Sequence, residues 1–355
     1  MEKQLHFIVG IGRSGTTILS KLLNKFTDVH CMPEANFLVF FLYKFRHKTH
    51  FTSSEIKLIF DEIELYCLTH PLVGWDFEIQ KVKQSVINIA EASQKLTYIE
   101  ICKIIYKNFK VLGSKKENAH VLMDKNPSYS IFIDKISAFI PNAKFIWIVR
   151  DHRANILSRK ESIYLKSPNI AYNATRWKLY NRDILRFKKK YPEKVLLVKY
   201  EDLVLNYDKE SLKINQFLNI SQNIENTEYQ KKQSIKIDNY HIQEKYKERF
   251  LKKYSDLNKE LNGDRLHVWK EKLSQEEIEL CDVICSKIAK SVGYKINMPL
   301  SLVKSITLII KYTFPIIRGY VDIYKDKIIY YSPIKIKLER LQKRYTEMGF
   351  IKRAN

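Results

Sequence analysis

The sequence predicts an α/β fold, a parallel sheet flanked by helices. Three observations predict it. Short runs of β-branched and aromatic residues alternate with long helical patterns, which is the signature of parallel strands joined by crossover helices. Residues 7 to 17, FIVGIGRSGTT, run from an apolar strand through a glycine-rich turn into the helical pattern ILSKLLNKF. The segments AFIPNAKFIWIVR and KKYPEKVLLVKYEDL each read as a helix ending at proline, a turn and a buried strand.

Taken in order, the apolar runs give strands at about 5–9, 28–32, 119–123, 144–149 and 194–199. Between Phe37 and Leu112, periodic segments around 54–68, 81–93 and 97–111 predict a helical insertion over residues 37–112 that covers the site. The run FLVFFLY at 37–43 is too short to cross a bilayer. After Pro299 the pattern changes: SLVKSITLIIKYTFPIIRGY is apolar but interrupted by Lys304, Lys311, Pro315 and Arg318, so it is not a spanning helix. The expected organisation is therefore one main domain, 1–297, and a basic amphipathic extension, 298–355.

Composition limits the function. With 45% apolar residues and only nine Gly and nine Pro in 355 residues, the chain is globular and helix-rich, without a repeat. The five cysteines show neither CxxC spacing nor histidines at metal-ligand offsets, which fits a reducing cytoplasm and gives no zinc or disulfide framework. No basic, apolar leader precedes the first strand. The net charge of +23 calls for an anionic partner or reflects a compositional bias toward lysine. Nucleic acid is not expected, because the lysines are scattered through amphipathic helices and no reading module is present.

The glycine turn carries the first functional signal. An anionic phosphate is held by backbone N–H groups at a helix N-terminus, and glycines let the backbone come close enough. Gly10, Gly12 and Gly15, followed by Thr16 and Thr17, match the spacing of a nucleotide-triphosphatase loop, but threonine stands where its lysine should be. Arg13, Ser14 and two hydroxyls suit one phosphate-like group better than a magnesium-bound triphosphate. Three further features should lie at the same sheet edge, where such folds bind ligands. These are Glu34 in CMPEANF, Lys125 in VLMDKNP, and Arg150 with Ser158 in IVRDHRANILSRKES.

Together these residues resemble the PAPS-dependent sulfotransferases, particularly the Golgi-type and bacterial branch that includes the tyrosylprotein sulfotransferases. The resemblance rests on RSGTT, DKNP, R-D-x-R-A followed by Ser158, VKYEDLV, and the late W-K-x-x-L and G-Y at Trp269 to Leu273 and Gly293, Tyr294. It spans roughly residues 5–297. It implies a P-loop, nucleotide-kinase-like parallel-sheet fold and 3′-phosphoadenosine 5′-phosphosulfate (PAPS) as donor, with the loop Gly12 to Thr17 cradling the phosphosulfate. Arg150 and Ser158 would then hold the 3′-phosphate, and Tyr200 would lie near the nucleotide. Glu34, twenty-one residues after Arg13, is similar in position to the catalytic glutamate of the tyrosylprotein enzymes. It would take the proton of an acceptor hydroxyl while Lys125 and Arg13 stabilise the charge that builds up, with no metal required.

Each residue also has a structural reading. Glu34 could cap the helix that follows, Lys125 could be a solvated strand-end lysine, and Arg150 could pair with Asp151 or Asp202. Tyr200 and Glu201 could form a structural cap, and Trp177 could be core or acceptor-channel lining. His152 stands where relatives carry proline or glycine. The loop that closes over the 3′-phosphate has only Lys252, Lys253 and Arg265 as candidates. The extension after Pro299, with twelve Lys and Arg against four Asp and Glu, reads as a contact for an anionic membrane or as a helical cap. The expected acceptor is a hydroxyl of a carbohydrate, glycolipid or lipid-linked saccharide. A protein tyrosine is the alternative within the same chemistry; a small-molecule kinase and a non-catalytic nucleotide-binding protein are the rivals outside it.

Overall fold

In the computed structural model, the residues described are 3–69, 78–92, 95–109, 116, 118–162, 165, 167–221, 223, 263–296 and 301–329. Five strands form one parallel sheet: β1 (Gln4–Val9), β2 (Val29–Met32), β3 (Val121–Lys125), β4 (Phe145–Val149) and β5 (Val195–Lys199). Their spatial order is β2-β3-β1-β4-β5. The strands agree with the apolar runs to within two residues, because both faces of a parallel sheet are covered and every strand must be apolar nearly throughout.

Alternation along the strands divides the core between two faces. Phe7, Val9, Phe145 and Trp147 point one way, into a large cluster with the helices α2 (Phe37–Phe45) and α5 (Tyr98–Asn108) and with the long helix α8 (Ile170–Lys190). Ile8, Ile146, Ile148 and Val198 point the other way, against α1 (Thr16–Leu23) and α10 (Tyr207–Leu218). The chain leaves β1 to build β2 and β3 on one side, then returns to place β4 on the other. This reversal at β1 opens a crevice at the carboxyl ends of β1, β3 and β4, the usual ligand position in such sheets.

The run FLVFFLY is a core helix: α2 is buried on nearly all sides, and the Tyr98 hydroxyl fixes its start by donating to the Phe37 carbonyl at 2.7 Å. Helices α3 (Ser53–Thr69) and α4 (Ile79–Ala92) complete the insertion, and a Thr97–Glu100 capping box begins α5. After the helix Gln275–Ser291, the extension forms the helices Leu302–Lys311 and Thr313–Ile329. The break falls at Tyr312; Pro315 sits in the first turn of the second helix, where its missing N–H costs no hydrogen bond. That helix lies on α8 at close range, because a Cβ at Gly319 would come within 2.9 Å of the Thr175 side chain.

Candidate active site

Backbone conformation shapes the glycine loop. Gly10 has φ of 141° and lies so close to β4 that a Cβ would meet the Ile148 carbonyl oxygen at 2.3 Å. Arg13 adopts a left-handed φ of 73°, uncommon for a residue with a side chain. Gly15, at φ 95°, precedes α1, and a Cβ there would stand 2.5 Å from the Tyr200 ring. The first N–H groups of α1 therefore open onto a tight turn, a ready anion cradle, with Thr16 and Thr17 as its first two residues.

Neighbouring elements hold this loop from behind. Ser130, in the 3₁₀ turn Pro127–Phe132 after β3, accepts from the Gly10 N–H at 2.8 Å. From α7 (His152–Lys160), Asn155 Nδ2 donates to the Gly12 carbonyl at 3.2 Å and to Ser14 Oγ at 3.0 Å. Arg159 Nη1 reaches the same Gly12 carbonyl at 3.4 Å, and its Nε donates to Asn173 Oδ1 at 3.0 Å. Burial, with Arg176 nearby, lowers the Arg159 guanidinium to about 10. Asn155 and Arg159 are residues that sequence reasoning passed over. Their only signal was the i, i+4 spacing from Asp151, which lines all three along one face of α7.

Two cations face the loop region with different partners. Arg13 Nε donates to Ser158 Oγ at 3.1 Å, so the Ser158 hydroxyl meets the loop arginine. Arg150, buried at the end of β4, stacks over the Tyr200 ring at 4.7 Å and donates from Nη2 to the Arg265 carbonyl at 2.8 Å. Its Nε is buried without a hydrogen-bond partner, a donor that an anion would satisfy. The same Tyr200 thus packs under both Gly15 and Arg150, joining cradle and guanidinium. Arg265 contributes its carbonyl here, whereas Lys252 and Lys253 lie outside the described residues.

The remaining motif residues support this wall. Asp151 pairs with Arg153 at 2.7 Å, leaving Arg150 to Tyr200. Glu201 accepts from the Asp151 N–H at 2.9 Å and from the Tyr294 hydroxyl at 2.6 Å, and its burial raises its carboxyl above the ordinary range. This explains why Y-E and the late G-Y act together: they lock the turn after β4 to the end of β5. His152 is fully buried with Nε2 2.7 Å from Asp282 Oδ1, and Trp177 is core, donating to the Arg150 carbonyl at 3.2 Å.

Across the crevice, Lys125 ends β3 in register with Ile8 of β1, two residues before the loop. Its Nζ lies 2.7 Å from Glu34 Oε1; the lysine side chain is 5% exposed and the glutamate 37%. Glu34 is therefore engaged by a buried cation, and Asn36, the residue before α2, makes no side-chain cap. The segment carrying Glu34 is fixed at the Ala35 carbonyl, which accepts from Asn126 Nδ2 at 2.8 Å and from the Tyr129 hydroxyl at 2.5 Å. Behind the pair lies Asp124, fully buried, hydrogen-bonded by the Tyr106 hydroxyl at 2.5 Å; burial raises its carboxyl to about 8. A half-exposed carboxylate held by a buried ammonium, beside an anion cradle, is suited to taking a proton while cationic groups stabilise a departing oxyanion.

This fold and site define a class. The sequence profile of the sulfotransferase family matches residues 6–223, and the chain belongs to that family. A Caenorhabditis briggsae protein named "Putative protein-tyrosine sulfotransferase" is 25% identical over 225 residues, which is 61% of this chain and 66% of that protein's length. Among solved structures, the sulfotransferase domain from the curacin biosynthetic pathway has a TM-score of 0.51 at 19% identity, covering 84% of this chain and 99% of the other, and so shows the fold. The sulfotransferase domain from the Synechococcus PCC 7002 olefin synthase, at 18% identity, covers 88% of this chain and 95% of its own with a TM-score of 0.43.

Proposed function

We propose that the protein transfers a sulfonate group from PAPS to a hydroxyl of a carbohydrate, glycolipid or lipid-linked saccharide. The observation that carries this reading is the Glu34–Lys125 pair, whose lysine ends the strand next to a glycine loop that has no lysine. A phosphosulfate needs the N–H groups of the loop and a cation at the bridging oxygen, but no magnesium-binding machinery. In this assignment Gly12, Arg13, Ser14, Gly15, Thr16 and Thr17 hold the phosphosulfate. Arg150, with its unpaired buried Nε, Ser158 and Tyr200 serve the 3′-phosphate and nucleotide.

The reaction forms one O–S bond and breaks another. Glu34 accepts the acceptor's hydroxyl proton as its oxygen attacks sulfur; the electron pair of the broken S–O bond stays on the phosphate oxygen. Lys125 and Arg13 stabilise that developing charge. Transfer to a protein tyrosine is the second reading, favoured by the likeness to the nematode protein and by a phenol's lower pKa, about 10. The reading extends to a cytoplasmic enzyme at the inner face of an anionic membrane, where the extension would bring it to a lipid-linked acceptor. The free, buried Cys31, Cys102, Cys281 and Cys285 are compatible with a reducing compartment.

The test is incubation with radiolabelled PAPS and separate pools of glycolipids, soluble glycans and tyrosine peptides. Label in a glycan or glycolipid supports the reading; label only in tyrosine moves it to the second reading. No transfer to any pool, with PAPS neither bound nor consumed, rejects both.

A further inference from the structure

The two C-terminal helices are amphipathic in the reverse of the usual sense. On the helix Leu302–Lys311, Lys304 pairs with Glu279 at 2.6 Å and Lys311 with Glu276 at 2.7 Å, so the polar side is turned onto the helix Gln275–Ser291. Tyr312 adds a 2.6 Å hydrogen bond to Glu276. On the helix Thr313–Ile329, the Tyr172 hydroxyl of α8 donates to Asp322 at 2.7 Å, Asp326 lies 3.5 Å from Arg176, and Lys327 pairs with Asp183 at 2.5 Å. Leu308 and Ile323 are buried, but most of the other apolar side chains are left outside. Leu302 is 76% exposed, Val303 75%, Phe314 80% and Ile328 65%, with Ile306, Ile310, Ile317 and Val321 at about half or more.

Within each helix most of these residues recur at spacings of three, four or seven positions, so each helix presents one exposed apolar face. A contiguous exposed apolar stripe of this length marks an interaction surface. Its flanks identify the partner. The positions beside the stripe on the longer helix are Arg318 and Lys325, both exposed, with Tyr320 on the opposite flank; Lys327 is turned to Asp183, and the two acidic residues, Asp322 and Asp326, face inward. A second copy packing stripe to stripe would set cations against cations, whereas paired helices use opposite charges at these positions. An anionic lipid surface matches both the apolar line and its basic border.

We infer that the stripe from Leu302 to Ile328 lies in the interface of an anionic phospholipid bilayer, with the ion-paired inner face holding the rest of the protein against it. This rests on the membrane part of the reading above and identifies the surface responsible. The chain need not be tethered by a spanning segment for this: among the described residues no helix is long and apolar enough to cross a membrane. The docked helix and the donor loop share one support. α8 carries Arg176 and Tyr172 toward the stripe helix, and Asn173 toward Arg159 and the loop.

The test uses the full chain, sedimented with vesicles of phosphatidylcholine alone or with added phosphatidylserine. The comparison variant is the double substitution Phe314→Glu and Val321→Glu, whose exposed sites leave folding unaffected. The wild type is expected to bind only the phosphatidylserine vesicles, with salt weakening it, and the variant to lose about tenfold per substituted residue. Equal binding to both vesicles, no binding, or unchanged binding by the variant overturns the inference. So does a wild-type dimer in light scattering that the variant dissolves, which would assign the stripe to a second copy. Stabilisation by the desulfonated donor, measured on the same samples, separates the two claims: its retention in a wild type that binds no vesicles rejects the membrane surface alone.

Discussion

Replacing Glu34 by glutamine removes the proton acceptor while keeping its shape and its oxygen near Lys125. Two effects follow, and the structure separates their sizes. The ion pair spans 2.7 Å and its lysine is buried, but the glutamine oxygen still accepts from Lys125 and the glutamate side is 37% exposed, so the loss of stability should be about 1 kcal/mol. Positioned general-base catalysis contributes about 10² to 10⁴ in rate, equivalent to about 2.7 to 5.4 kcal/mol in the barrier. The expected result is therefore a near-native melting temperature, unchanged stabilisation by donor, and turnover lowered by two to four orders of magnitude, on the order of the base's full contribution. The assay is release of adenosine 3′,5′-bisphosphate under saturating PAPS and acceptor, with thermal melts on the same samples. Full turnover by the glutamine variant at normal donor binding would refute the base assignment.

Two other outcomes follow from the same geometry. Gly15→Ala places a Cβ 2.5 Å from the Tyr200 ring at a φ of 95°, so donor-induced stabilisation should be lost while the unliganded protein, melted alone, still unfolds cooperatively; normal donor binding would refute the cradle. Asp124 is raised to about 8 by burial, above an ordinary carboxylate near 4. Between those values the folded state holds a proton that the unfolded state releases, so its stabilising contribution is full below about pH 4 and declines as pH rises to about 8. The wild type should thus lose melting temperature across that range more steeply than Asp124→Asn, and parallel pH profiles would contradict the raised carboxyl.

The sheet was legible because five buried strands must be apolar on both faces, and the loop because glycine at Gly10 and Gly15 answers a steric demand that sequence can state. The pairing of Arg13 with Ser158 was not legible. It depends on the left-handed turn at Arg13, which directs that side chain toward α7, and nothing in the residue type announces such a turn. Asn155 and Arg159 were hidden for a related reason: polar residues on a helix read as solvated until the helix is known to lie against a loop. The orientation of the extension was not legible either. Its polar side caps α8 and the helix Gln275–Ser291, and its apolar side is exposed, an inversion that helical periodicity alone cannot orient.

The proposed function requires the lysine-less loop and Arg150 to select a phosphosulfate nucleotide over a triphosphate. Thermal stabilisation by adenosine 3′,5′-bisphosphate, measured beside ATP with magnesium and repeated with Arg150→Ala, tests it most directly. Saturable stabilisation by the bisphosphate, little by ATP, and loss of the bisphosphate effect in the Arg150 variant are expected. Preferential stabilisation by ATP, or a bisphosphate effect indifferent to Arg150, would contradict it.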